Sequence, residues 1–144
     1  MRLAVAFALL TSPAAAWEFS ATPICTLYHP TEKGDVTVTY DPAREEYAIA
    51  LRFVLPDLTW PQADTFSVDF IGEKSIRIAT DRQQVSADGT TITATDTGFD
   101  NVLDGLQYNA IAEARSGDAS MVISLSGAPE PVATFRSCGA AALS

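Results

Sequence analysis

The sequence predicts a mainly β domain, bordering on α+β: an antiparallel β-sandwich or partial barrel of about eight strands with two short helices and one disulfide. Three observations carry this expectation. Apolar and polar residues alternate along much of the chain, turn-forming residues punctuate those runs at short intervals, and one cysteine stands near each end.

The first clear strand is Val36, Val38 and Tyr40 alternating with Thr37 and Thr39, a run rich in β-branched residues that suits a half-buried pleated surface. Tyr47, Ile49, Leu51 and Phe53 then take one face, with Ala48, Ala50 and Arg52 on the other. The intervening Asp41-Pro42-Ala43-Arg44 carries turn chemistry, so the two strands form a hairpin. Phe66, Val68 and Phe70 repeat the alternation, Ile71-Gly72-Glu73-Lys74 turns the chain, and Ile76 with Ile78 completes a second hairpin. Val85 precedes Asp88-Gly89, a pair that accepts the positive φ of a tight hairpin turn, and Ile92 with Ala94 then alternates with Thr91, Thr93 and Thr95.

The period then changes. Phe99, Val102, Leu103 and Leu106 fall at helical spacing, and Thr97 followed by Asp100 resembles a capping box, so a short helix is expected, weakened by Gly105. Tyr108 to Arg115 and Ser120 to Leu125, joined by Ser116-Gly117-Asp118-Ala119, read as a last hairpin with Met121, Ile123 and Leu125 on one face. Ala128 to Cys138 places Val132, Phe135 and Arg136 at helical spacing, with Pro129 and Pro131 near its start, where proline is tolerated.

The 144 residues suffice for one compact domain, and 47% hydrophobic against 19% charged residues let it bury a core. Residues 1–16 have the parts of a secretory leader: Arg2, the apolar run Leu3 to Leu10, and Ala14-Ala15-Ala16. The run is too short to span a bilayer and Pro13 breaks it, so a mature domain of residues 17–144 without a membrane span is expected in the periplasm or outside the cell. In that oxidising setting Cys25 and Cys138 pair with each other, and with no C-x-x-C spacing the bridge reads as a staple. A formal charge of -9 argues against nucleic acid and anionic membrane surfaces as partners.

Motifs for chemistry are sparse. His29 is the only histidine, so any triad or zinc site depends on it; before Pro30 it reads as a partly exposed residue at a strand end. There is no G-x-S-x-G, P-loop or dinucleotide fingerprint; Gly72-Glu73-Lys74-Ser75 falls in a hairpin turn, and no cofactor is expected. Asp96, Asp100 and Asp104 recur every four residues and are weak calcium candidates, since hard cations prefer oxygen ligands, although no D-x-D-x-D-G loop accompanies them. Trp60 lies in the long loop Leu55 to Asp64, where it either caps the core edge or, with Tyr28 and His29, forms a recognition surface.

Three segments of the C-terminal third carry a family resemblance: Phe99-Asp100-Asn101-Val102-Leu103-Asp104-Gly105-Leu106, Met121-Val122-Ile123-Ser124-Leu125-Ser126-Gly127, and Ala133-Thr134-Phe135-Arg136-Ser137-Cys138. In this order they resemble small secreted proteobacterial proteins of the invasion-associated locus B type, which implies an envelope-accessory role. The full chain resembles short periplasmic proteins of purple-bacterial relatives, some of which carry an excinuclease name; no helicase motif, P-loop or basic channel accompanies that resemblance. Together these readings predict a non-catalytic exported accessory or binding domain, monomeric or weakly dimeric, whose partner is an envelope protein or a small ligand. A small carboxylate-dependent hydrolase of envelope polymers and a calcium-stabilised structural protein are the alternatives.

Overall fold

The computed structural model of the protein describes residues 16–142, so the leader expected over residues 1–16 lies outside the described residues apart from Ala16. Ten strands and two helices form among the described residues. The strands are β1 (Glu18–Ser20), β2 (Cys25–Pro30), β3 (Gly34–Asp41), β4 (Glu46–Phe53), β5 (Phe66–Gly72), β6 (Ile76–Thr80), β7 (Gln84–Val85), β8 (Thr91–Asp96), β9 (Asn109–Ser116) and β10 (Ala119–Ser124). Helix α1 (Asp100–Tyr108) follows β8, and α2 (Pro129–Ala142) follows β10. β1 and β7 are three and two residues long, too short for alternation to announce them.

The strands make two antiparallel sheets, one in the order β1-β2-β3-β4-β8-β7 and the other β10-β9-β5-β6. They do not close into a barrel, so of the two expected architectures the open sandwich is the one formed. The predicted hairpins are present in register, with Tyr40 opposite Tyr47, Phe70 opposite Ile76, Val85 opposite Ile92 and Met121 opposite Ala114. Alternation does the rest. Leu27, Val36, Val38, Leu51 and Ile92 from the first sheet and Phe66, Phe70, Ala112, Met121 and Ile123 from the second turn inward and form one buried core.

The ends of the sandwich are closed differently. At one end Trp60 drops from the β4–β5 loop and stacks on Phe53 with ring centroids 4.4 Å apart, while its indole N–H donates to the Leu51 carbonyl at 3.0 Å. At the other, α1 and α2 pack together, and Tyr47 meets Phe99 and Phe135 at centroid distances of 5.4 and 6.1 Å. Gly105 permits this: a Cβ there would collide with the buried Phe70 ring, so only glycine lets α1 lie this close to β5.

The expected capping box does not form. Phe99 is the N-cap and makes no side-chain capping bond, because Thr97 is held instead by the Asp96 carboxylate, which accepts from its amide at 2.7 Å. At α2, Pro129 and Pro131 occupy the first turn as expected, and Gly127 at φ +81° turns the chain into it. Val132 and Phe135 bury fully, and the Cys25–Cys138 disulfide, with Cα atoms 6.4 Å apart, fastens α2 to β2. No helix among the described residues is long and apolar enough to cross a membrane.

Candidate functional site

The strand order leaves one side of the sandwich uncovered. β6 is the last strand of its sheet, and β7 covers β8 only at Thr93 and Ile92. Between β6 and β8 the sheets therefore part around a groove of about 740 Å³, within the range of small-ligand sites. Its floor is apolar: Ile49, Val68, Phe70, Ile78, Ala94 and Val102. These side chains come from both inner faces and from α1: Ile78, Ala94 and Val102 are half-buried at the groove, and Ile49, Val68 and Phe70 are the buried core beneath it.

Chain segments bound the groove lengthwise. Thr80, Asp81 and Arg82, where the chain leaves β6, line one part of the rim, and Gly98 to Val102, entering α1, line another. Asp81, Arg82, Asp96 and Asp100 are exposed on that rim, and none of them belongs to an ion pair among the described residues. A Cβ added at Gly98 would meet no atom within 4 Å, so the rim is open there. Tyr47 lies behind Phe99. Burial, then Tyr40 and Asp100, push its phenol above the usual range, against a smaller opposing effect of Arg136. A second, smaller depression of about 480 Å³ lies between the Asp57 to Ala63 loop and the β9–β10 turn.

The residues expected to form a recognition surface do not converge. Tyr28 and His29 are neighbours on β2, so they point to opposite faces. Tyr28 lies outward, 38% exposed, with its hydroxyl donating to Asp35 at 3.5 Å, beside the Arg52–Asp35 ion pair of 2.6 Å. His29 corrects the expectation of a partly exposed residue: it is 4% exposed and stacks on Trp17 at 4.8 Å with the rings 5° from parallel. Burial holds its imidazole below the ordinary value, a backbone hydrogen bond with Ala16 acts the other way, and Nδ1 has no protein partner. Trp60, at 2% exposure, takes the core-capping role and presents no ring to a partner.

The calcium candidates are also separated in function. Asp96 caps the Thr97 amide, Asp100 begins α1, and Asp104 accepts from Arg136 at 2.5 Å. Among the described residues no group of three or more His, Cys, Asp or Glu side chains is placed to hold a metal ion. A hydrolytic carboxyl acid would need a raised pKa. Asp69, bonded to Arg77, and Asp88, bonded to the Ser86 hydroxyl and to Thr90, lie low, Asp88 at about 2, so neither of these two is suited to that role.

The groove residues escaped the sequence reading because Phe70, Val68 and Val102 look like ordinary core. The one usable signal was the weakness of the segment before Asp88-Gly89, where Val85 is the only apolar residue between Asp81 and Ser86. A strand that short cannot cover the strand opposite. Compared with models of protein families, with curated proteins and with solved structures, the chain matches none.

Proposed function

We propose that the chain acts as a non-catalytic, exported binding domain of the periplasm or extracellular space, and that its ligand sits in the groove between β6 and β8. The observation that carries the reading is the groove itself: an apolar floor of about 740 Å³ left open by the strand order and rimmed by polar side chains. A disulfide and a leader-like N-terminus support an oxidising compartment. The resemblance to small secreted envelope proteins points the same way. With the rest of the core closed by α1, α2 and Trp60, binding at the groove requires no opening of the sandwich.

Decanol, a neutral probe with an apolar body, tests this. It raises the melting temperature of the mature domain with the logarithm of its concentration once that exceeds Kd, as binding to the folded state alone must. Gly98→Phe, placed where a side chain finds free space on the rim, removes the rise and leaves the fold intact by circular dichroism. No rise in the wild-type domain, or an equal rise in Gly98→Phe, overturns the assignment.

A further inference from the structure

We infer that the ligand of this groove is a compact cationic amphiphile, an apolar body carrying an ammonium or guanidinium group; the inference rests on the binding reading above. Two features of the rim give the charge. Three carboxylates, Asp81, Asp96 and Asp100, line it against one guanidinium, Arg82. The rim therefore carries two more negative than positive charges, and Asp96 and Asp100 are the two carboxylates that flank Gly98.

Neither of those two carboxylates is neutralised by an ion pair among the described residues. Those pairs engage Asp35, Asp41, Asp69, Asp104 and Glu113, and the nearby Arg136 is held by Asp104. Asp96 is oriented by the Thr97 amide and hydroxyl, at 2.7 and 3.4 Å, so its direction is fixed by its own loop. Carboxylates next to an apolar, partly desolvated floor attract a cation more strongly than carboxylates on an open surface.

The shape sets the size. An extended peptide added to a strand edge needs a slot open at both ends. Here the Thr80 to Arg82 segment and the Gly98 to Val102 segment bound the groove, which favours a body enclosed by the rim over a strand that runs through. The apolar part rests on the half-buried Ile78, Ala94 and Val102, with the buried Val68 and Phe70 beneath them, and the cationic group lies at the Asp96–Asp100 side.

Three probes with one chain length separate the two levels of this reading: decylammonium and decanoate, each below its micellar concentration, and decanol, below its solubility limit, titrated calorimetrically into the mature domain at physiological salt. The expected order is decylammonium about ten-fold tighter than decanol, with decanoate weakest by a similar step. Asp96→Asn combined with Asp100→Asn brings decylammonium to the affinity of decanol and leaves decanol unchanged. The remote pair Glu73→Gln and Asp118→Asn, which alters net charge equally, leaves the order intact. Equal binding of all three probes, or loss of the preference in the remote pair, overturns the cationic assignment and keeps the groove. No binding of any probe overturns the groove as well.

Discussion

Removing the Cys25–Cys138 bridge tests how much of this fold is held by its staple. The two cysteines are 113 positions apart, so the bond closes nearly the whole domain. In the chain-entropy account a loop of that length withdraws about 5 kcal/mol of conformational freedom from the unfolded chain. Domains of this size are stable by roughly 5–15 kcal/mol, so the loss is a large fraction of the total. The folded state itself changes little, because Val132 and Phe135 keep α2 in the core whether or not the sulfurs are joined. Cys25→Ala combined with Cys138→Ala therefore gives a folded domain whose urea midpoint drops by several kcal/mol divided by the denaturant slope. The assay is equilibrium urea unfolding of the oxidised protein and the double variant, followed by tryptophan fluorescence, since Trp17 and Trp60 are both buried. A loss below about 1 kcal/mol would refute the reasoning, showing that the reduced chain is already confined or that the bridge opposes the native geometry.

Two further substitutions follow from particular contacts. Gly105→Ala removes a helix-weakening residue, worth about 1 kcal/mol in an exposed helix, but drives a methyl into the Phe70 ring; a net loss of about 1–3 kcal/mol in urea unfolding is expected, and a gain would show that α1 can lift from β5 without penalty. His29 is held below its ordinary value, so below about pH 6.5 the unfolded chain binds the proton more readily than the folded one. Stability is unaffected by this group above that pH and falls as the pH drops through it, and His29→Phe, which keeps the stack on Trp17, flattens the fall; an unchanged slope sinks the assignment. Asp88 acts in a separate window, since its stabilising contribution, present above the ordinary carboxylate range, is lost only as the pH falls toward about 2.

Much of the fold was legible because period-two alternation and turn chemistry are local. Val36 to Tyr40 against Tyr47 to Phe53 could be paired from their residues and the Asp41 turn, and the observed register agrees. The disulfide was legible for a different reason, since two cysteines leave one pairing. What was not legible depends on contacts between distant segments. Thr97 has the spacing of a capping residue, yet the neighbouring Asp96 carboxylate competes for it. Gly105 reads as a defect in a helix until Phe70, far away in sequence, is seen against it. His29 and Trp60 have polar atoms that usually seek the surface, and each was taken into the core by a ring partner, Trp17 and Phe53. The groove was hardly legible for the same reason: beyond the weak segment around Val85, it is defined by the length of β7 relative to β6 across the sandwich.

The staple also decides how the domain meets a mechanical load. A pull on the chain outside Cys25 and Cys138 first strips Trp17 and β1 from the edge of the sheet, and then arrives at sulfur. From there tension crosses the covalent bond directly into α2, and the strands between the cysteines carry none of it. The groove between β6 and β8 lies inside that sheltered loop, so a domain pulled from both ends keeps the shape of the groove as long as the bond is oxidised. Reduction removes that route, so the same tension then loads the packing of α2 and the ladder of β2 against β3.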